Sequence, residues 1–255
     1  MRNILLTGGG GGIARAIAPL LAAEPFRLLL TTREGNALES FCKENNIQAE
    51  VFSADLTLHE DVEALFDWAE TFGGVDVLIN NAGISHAAAS WKLTAEEMHR
   101  LMEVNFYSAV RCTQLALQGM RVKSYGRIIS VSSVVAHKPA FGTSAYTASK
   151  SALEGYMRGV ALDVSTQGIT ANTIAYGYMN ASSSVTSQNN RRLQKARFLS
   201  TSASITLEAL GVKDRHLISH PAELLSSTNL LAALAKLEAP KRFYFSHRNP
   251  VPLSF

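Results

Sequence analysis

Residues 4–18 read ILLTGGGGGIARAIA, a short apolar run followed by five consecutive glycines and an alanine-rich segment. The apolar run is typical of a buried strand, and the alanine-rich segment has the composition of a helix. A glycine turn between a strand and a helix can adopt positive φ angles and bring a phosphate close to the N–H groups of the helix N-terminus. A flexible glycine linker is the alternative, but the flanking strand and helix favour a phosphate-binding turn.

The glycine run fits two phosphate-binding registers. Read from Gly9, it matches G-x-G-x-x-A, the common dinucleotide pattern, which ends at Ala14. Read from Thr7, it matches T-G-x-x-x-G-I-A. Both registers cannot bind phosphate at once, and the stretch alone leaves the choice open.

Size and composition restrict the class of protein. A chain of 255 residues, 47% hydrophobic and 18% charged, predicts one α/β domain over residues 1–255. A net charge of +3 without a Lys/Arg stripe argues against a nucleic-acid partner. Cys42 and Cys112 are too few for a secreted disulfide framework and lack metal-ligand spacing. No signal peptide or membrane span is visible, so we expect a cytoplasmic protein with no membrane partner and no metal.

Apolar runs alternate with helix-period segments, which predicts a doubly wound α/β fold with a parallel seven-stranded Rossmann sheet and helices on both faces. The predicted strands are Asn3–Leu6, Arg27–Thr31, Ala49–Ser53, Val75–Asn80, Arg127–Val131, Thr170–Ala175 and Arg242–Ser246. The predicted helices are Ile13–Ala23, Asn36–Glu44, Leu58–Phe72, Thr94–Gly119 and Ala145–Gln167. Residues from about 178 to 225 begin with a stretch rich in Ser, Thr, Asn and Arg, so we expect a surface excursion there.

Two further motifs follow the glycine turn. INNAG, residues 79–83, ends the predicted fourth strand, and SAYTASK, residues 144–150, places Tyr146 and Lys150 four residues apart on a helix. Residues i and i+4 of a helix share a face. An ammonium about 4 Å from a phenol contributes about 4 kcal/mol at an effective dielectric of 20, enough to lower a pKa of about 10 to about 7. The pair therefore favours acid–base chemistry over an ordinary surface helix.

With these three motifs in this order, residues 1 to about 178 resemble the short-chain dehydrogenase/reductase family, in particular its 3-oxoacyl thioester reductases. The family pattern T-G-x-x-x-G-I-G selects the register that starts at Thr7, with Ala14 in place of the usual last glycine. Asn81 and its neighbours match the second motif of the family. In these two motifs the resemblance implies the following cofactor-binding residues: Thr7, Gly8, Gly10, Gly11, Gly12, Ile13, Asn81, Ala82 and Gly83.

The resemblance also implies the catalytic residues. Tyr146 is expected to be the general acid/base, with Lys150 beside it, and both are expected to contact the cofactor. Ser133 would hold the substrate carbonyl; Ser132 competes for this role, but side chains alternate along a strand and the family spacing selects Ser133. Asn105, in MEVNFYS, matches a helical asparagine that relays protons through water to the lysine. A capped or solvated mid-helix side chain is the alternative for Asn105.

Cofactor choice depends on the end of the second strand, LLLTTREGN. A carboxylate at this place binds the ribose of NAD, whereas a cation accommodates the 2′-phosphate of NADP. Arg33 favours NADP, although Glu34 is a candidate ribose ligand if the strand ends one residue later, and NAD stays possible. Asp55 and Leu56 match the adenine-side pair of the family; an exposed loop aspartate is the alternative.

The resemblance weakens after Ala175. Tyr176 replaces the usual proline, Gly177 is retained as a cofactor-binding residue, and Ala181 stands where a threonine usually holds the nicotinamide. The usual glycine-rich end is also missing, so we expect a homodimer or homotetramer through the long helices around residues 97–117 and 151–163. A basic stretch is interpreted either as a solvated face or as a contact for a phosphopantetheine-bound acyl substrate or its acidic carrier: Arg191, Arg192, Lys195 and Arg197.

These observations predict an NADPH-dependent reductase of a ketone, or a dehydrogenase of the matching secondary alcohol, acting on a small-molecule substrate that an acyl thioester can tether. An epimerase or lyase-type tailoring enzyme on the same fold is one alternative. A non-catalytic NADP(H)-binding sensor, suggested by the altered C-terminal part, is the other.

Overall fold

A computed structural model of the chain describes residues 1–177, which form one parallel six-stranded sheet with flanking helices. The strands are β1 Arg2–Thr7, β2 Phe26–Thr32, β3 Glu50–Ser53, β4 Val77–Asn80, β5 Gly126–Ser133 and β6 Ile169–Tyr176. The helices are α1 Gly12–Ala22, α2 Gly35–Glu44, α3 His59–Glu70, α4 Ala95–Met102, α5 Ser108–Lys123 and α6 Ser144–Asp163. The strand order is β3-β2-β1-β4-β5-β6.

The sheet is buried on both faces, as the continuous apolar run of β1 requires. Ile4 and Leu6 pack in a core cluster with residues of α1 and α2. Leu5, which points to the opposite face, packs in a second cluster with residues of α3, α5 and α6. The predicted doubly wound parallel fold is therefore confirmed. Within residues 1–177 six of the seven predicted strands are present; the predicted strand Arg242–Ser246 and the excursion at 178–225 lie outside the described residues.

The strand order reverses between β1 and β4, because β2 lies on one side of β1 and β4 on the other. In open α/β sheets, ligands bind at the carboxyl ends of the strands at such a switch point. The glycine turn follows β1, and residues 81–83 follow β4. The topology thus brings the first two sequence motifs together at one edge of the sheet.

The predicted helix Thr94–Gly119 is interrupted. It begins as α4, whose N-cap Thr94 forms a capping box with Glu97, continues as a π-helical segment over Glu103–Tyr107 and resumes as α5. π-helical turns inside α-helices are frequent at functional sites. This turn contains Asn105, whose side chain is hydrogen-bonded to backbone groups of Ile84 in the loop after β4.

Candidate active site

A cleft of about 1000 Å³ lies along the carboxyl edge of the sheet. Most of the sequence-predicted site residues line it: Gly8, Gly11, Gly12, Ile13, Arg33, Asp55, Leu56, Asn81, Ala82, Gly83, Ser133, Tyr146, Lys150 and Gly177. Three others lie outside its wall: Thr7 and Asn105 are buried behind it, and Gly10 is exposed on the turn. The fold therefore gathers residues from distant parts of the sequence around one elongated space.

The glycine turn leaves backbone groups uncovered at the start of α1. Gly8 has a φ of +68°, and a Cβ atom there would lie 2.8 Å from the Cα atom of Ala82. The N-cap of α1 is Gly11, which has no side chain to cover the first N–H groups of the helix. Uncovered N–H groups and the positive end of the helix dipole suit an anion. The turn therefore fits the pyrophosphate of a dinucleotide.

Thr7 and Asn81 join the glycine turn to the end of β4. The Thr7 hydroxyl accepts hydrogen bonds from the backbone N–H groups of Asn81, at 3.0 Å, and Ala82, at 3.1 Å. The Asn81 amide donates to the carbonyl oxygens of Thr7, at 2.9 Å, and Gly8, at 3.3 Å. Because Thr7 is 2% exposed, it supports the turn from behind, whereas Asn81 also lines the cleft.

At the far end of the cleft, β2 ends at Thr32, one residue beyond the predicted Thr31. This is the condition under which Glu34 was a candidate ribose ligand. In the structure Arg33 lines the cleft, while Glu34 takes the N-cap position of α2 and is not among the described residues that line the cleft. The guanidinium-bearing residue Arg33, rather than Glu34, therefore lines the cleft.

The loop after β3 is held in a defined shape. The Asp55 carboxylate accepts hydrogen bonds from the backbone N–H and the hydroxyl of Thr57, at 3.0 and 2.7 Å. These bonds, with a smaller contribution from the Arg33 charge, lower the pKa of Asp55, against the opposing effect of burial. The carbonyl oxygen of Leu56 accepts a 2.9 Å hydrogen bond from Arg111 of α5, which also pairs with Glu103.

Ser132 and Ser133 point in different directions at the end of β5. The Ser132 hydroxyl is buried and donates a 2.6 Å hydrogen bond to Glu154 of α6. The Ser133 hydroxyl accepts a 3.4 Å hydrogen bond from the Val135 N–H and lies beside the Tyr146 hydroxyl. Burial raises the pKa of Tyr146, and the interaction with Ser133 acts in the opposite, lowering direction. The phenol is therefore a protonated group facing the cleft at neutral pH.

Lys150 is buried behind Tyr146, with 3% of its surface exposed. Its ammonium donates a 2.8 Å hydrogen bond to the carbonyl oxygen of Val131, and burial lowers its pKa from 10.5 to about 8. The i, i+4 spacing predicts an ammonium about 4 Å from the phenol and a lowered pKa for Tyr146. In the structure the pKa of Tyr146 is instead raised, because burial of the phenol is the largest effect.

Asn105 is 1% exposed, so the solvated alternative does not describe it. Its amide oxygen accepts from the Ile84 N–H at 2.8 Å, and its amide nitrogen donates to the Ile84 carbonyl at 2.9 Å and the Ser149 hydroxyl at 3.0 Å. A Cβ atom on Gly83 would lie 3.2 Å from the Asn105 oxygen and 3.4 Å from the Lys150 nitrogen. The glycine therefore allows both polar groups to approach the end of β4.

Sequence reasoning missed two residues that hold the site together. Glu154 bonds to Ser132 and follows Lys150 by four residues on the same helix, so the i, i+4 spacing was a signal for it. Arg111 bonds to the Leu56 carbonyl across 55 positions of the chain, and no local pattern marks such a contact.

The carboxyl end of β6 completes the described wall of the cleft. Tyr176 pairs in register with Ser133, and burial raises its pKa. Ala181 and the basic stretch from Arg191 to Arg197 lie outside the described residues. Over residues 1–177, no helix is long and apolar enough to cross a membrane, and no cluster of three or more His, Cys, Asp or Glu side chains is arranged to hold a metal ion.

Residues 2–192 match the family described as short chain dehydrogenase. The chain is 34% identical over 176 residues to the 3-oxoacyl-[acyl-carrier-protein] reductase FabG of Vibrio cholerae, covering 69% of this chain and 72% of that protein. It is 33% identical over 182 residues to the D-beta-hydroxybutyrate dehydrogenase of Cupriavidus necator, covering 70% of each.

Solved structures with the same fold include complexes with both nicotinamide dinucleotides. The actinorhodin polyketide ketoreductase with NADPH superposes with a TM-score of 0.68 at 27% identity, covering 71% of this chain and 72% of that one. The NAD+-bound xylitol dehydrogenase superposes with a TM-score of 0.65 at 30% identity, covering 70% of each chain. The similarity thus extends to relatives of both cofactor types.

Proposed function

The chain belongs to the short-chain dehydrogenase/reductase family, and we propose that this oxidoreductase reduces a ketone with NADPH, or oxidises the matching secondary alcohol in the reverse direction. The observation that carries the proposal is the convergence of Ser133, Tyr146 and Lys150 on one cleft that also contains an uncapped glycine turn. Relatives named as reductases and dehydrogenases support the reaction class.

In the proposed reaction Tyr146 is the general acid. Its raised pKa keeps the hydroxyl protonated at neutral pH, and a general acid must carry its proton before the reaction. Ser133, which lines the cleft beside Tyr146, orients the substrate carbonyl so that its oxygen meets the phenolic proton. When bound, the reduced nicotinamide supplies the hydride for the carbonyl carbon.

Lys150 and Asn105, both buried beside the cleft, support the proton transfer. With a pKa of about 8, Lys150 is mostly protonated at neutral pH, and its positive charge stabilises the phenolate left after Tyr146 gives up its proton. We assign Asn105 to the water-mediated relay that returns a proton through Lys150. Its burial beside Lys150, at the end of β4, is consistent with that role.

We assign the cofactor as NADPH on the basis of Arg33. An arginine suits a ribose 2′-phosphate because its N–H groups form charge-assisted hydrogen bonds with phosphate oxygens. Arg33 lines the cleft, whereas Glu34 begins α2. NAD is the alternative cofactor, since solved relatives contain either dinucleotide.

The proposed substrate is a carbonyl compound, which the relation to 3-oxoacyl carrier-protein reductases extends to acyl thioesters. We further propose that the protein acts in the cytoplasm as a homodimer or homotetramer through the helices around residues 97–117 and 151–163. Exposed apolar side chains on or beside these helices support this: Tyr107, Val122 and Leu162.

The test is a panel of ketones and 3-oxoacyl thioesters with NADPH, followed through the absorbance of the reduced nicotinamide. Tyr146→Phe is expected to retain less than about a tenth of the activity, because general acid catalysis contributes at least about a hundredfold, and to keep its NADPH affinity within a few fold. Tyr156→Phe, half-buried on the same helix, is the matched control and is expected to keep its activity.

Three other results would favour a different catalytic residue or a different function. Reduction that survives in Tyr146→Phe would identify another acid. Conversion of a substrate without net change in reduced nicotinamide would favour an epimerase or lyase. NADPH binding without turnover of any ketone would favour a sensor.

A further inference from the structure

Glu154 is a buried carboxylate that the proposed reaction does not use. It lies on α6 one turn after Lys150, with 6% of its surface exposed. A carboxylate removed from water is unfavourable unless its oxygens find partners. Each oxygen has one: Oε1 accepts a 2.6 Å hydrogen bond from the Ser132 hydroxyl, and Oε2 lies 2.9 Å from Nε2 of His137.

The two partners of Glu154 bracket the segment that carries Ser133. Ser132 precedes Ser133 in β5, and His137 ends the single 3₁₀ turn Val134–Ala136 that follows. One carboxylate therefore fastens both ends of residues 132–137 to α6. Because α6 also carries Tyr146, this contact helps to set the distance between the strand end and the phenol.

Other side chains of α6 bond to backbone carbonyl groups on either side of Ser133. Lys150 donates to the Val131 carbonyl, Thr147 to the Val135 carbonyl at 3.2 Å and Ser151 to the Ala136 carbonyl at 3.2 Å. The Ser133 hydroxyl accepts a 3.4 Å hydrogen bond from the Val135 N–H, within the same segment. The direction of the Ser133 side chain relative to α6 thus also depends on how residue 132 is held, because successive side chains of a strand point to opposite sides.

We propose that Glu154 is a positioning residue for the reaction: through Ser132 and His137 it holds the end of β5 so that Ser133 faces the cleft and meets Tyr146. This inference rests on the proposed ketone reduction. It assigns to Glu154 no contact with substrate or cofactor. Ser132 and His137 act with it as the two arms of one clamp.

The kinetic experiment compares Glu154→Met, which keeps the length of the side chain and removes both bonds, with wild type. We expect kcat for a ketone of the panel to fall about tenfold to a hundredfold, because displacements of about 1 Å in a reacting group have effects of that size. The dissociation constant of NADPH is expected to stay within about twofold of wild type. Glu39→Met, the same substitution at an exposed position of α2, is the matched control and is expected to keep its kcat.

Two further variants separate positioning from general stabilisation. Ser132→Ala removes one arm and leaves the carboxylate in place, so we expect a smaller loss of kcat and no added loss when it is combined with Glu154→Met. Glu154→Gln retains an acceptor for Ser132 and is expected to recover part of the activity. If Glu154→Met fails to fold, Ser132→Ala alone decides: an unchanged kcat in that variant overturns the proposal.

The contacts of Glu154 with Ser132 and His137 can also be tested without a substrate. In amide hydrogen exchange, residues 132–137 are expected to exchange faster in Glu154→Met than in wild type, while the strand β1 is unchanged. If wild type reduces no ketone, the proposed function fails and this exchange still tests the clamp. If wild type is active but Glu154→Met matches it in kcat and in exchange, the clamp is wrong and the proposed function stands.

Discussion

Lys150 lies with its ammonium nitrogen 5.9 Å from the centroid of the Tyr146 ring, on the same face of α6, while donating a 2.8 Å hydrogen bond to the carbonyl of Val131. The lysine is thus held by the strand rather than by the phenol. Its burial lowers its pKa from 10.5 to about 8. The buried charge at this position is therefore unfavourable for stability at neutral pH, and the proposed role of Lys150 in proton transfer would account for its presence.

This relationship predicts how stability changes with pH. Between pH 8 and about 10.5 the unfolded chain binds more protons at Lys150 than the folded chain does, so the free energy of unfolding rises with pH there. Chemical denaturation of wild type and Lys150→Met at several pH values measures the effect. The difference, wild type minus variant, is expected to increase with pH by up to about 3 kcal/mol. Lys138→Met, at an exposed position, is the control; a difference for Lys150 that is flat or falls with pH would contradict the prediction.

Arg33→Ala is expected to weaken NADPH binding about tenfold to a hundredfold and to change NADH binding only a few fold. The reason is the loss of charge-assisted hydrogen bonds to the 2′-phosphate, worth roughly 1.5 to 3 kcal/mol. Fluorescence titration of both dinucleotides checks this. Glu34→Gln is the companion variant. Weaker NADH binding in Glu34→Gln together with unchanged NADPH binding in Arg33→Ala would assign the ribose to Glu34.

Gly8→Ala is expected to lower both stability and dinucleotide affinity. The φ of +68° is unfavourable for alanine, and the added Cβ would lie 2.8 Å from the backbone of Ala82, so a destabilisation of about 1 to 3 kcal/mol or more follows. Gly159→Ala lies within α6, and beyond the backbone of the helix itself no atom of residues 1–177 lies within 4 Å of the added Cβ; it is the matched control. It is expected to raise stability by about 0.5 to 1 kcal/mol. Equal thermal shifts in the two variants would refute this account of the turn.

Arg111→Ala is expected to weaken binding of 2′,5′-ADP, which probes the adenosine end alone, by about tenfold. Arg111 donates a 2.9 Å hydrogen bond to the carbonyl of Leu56, in the cleft wall, and losing a bond from a charged donor has effects of this order. Arg111→Lys is expected to recover part of the affinity. Arg121→Ala on the same helix, where the arginine is bonded to Gln167, is the control. Unchanged affinity for 2′,5′-ADP would show that the Asp55–Thr57 loop holds its shape without Arg111.

Much of the fold and of the site follows from short stretches of sequence. The glycine run between an apolar strand and a helix predicted the turn at the switch point, because the conformations of glycine and the periods of strands and helices are local properties. The i, i+4 spacing of Tyr146 and Lys150 likewise predicted a shared helix face. Predicted strand and helix positions in residues 1–177 were close to those observed, although the helix expected at Thr94–Gly119 contains a π-helical turn.

Patterns within a few residues were enough to predict the fold class, the family and the residue types that meet in the cleft. The contacts behind these residues follow only from the way the chain packs in three dimensions. This packing buries Lys150 against Val131, raises rather than lowers the pKa of Tyr146, and ties Ser132 to Glu154. These outcomes depend on burial and on bonds between residues far apart in the chain, and the electrostatic balance at the site is the sum of contacts that no local pattern encodes.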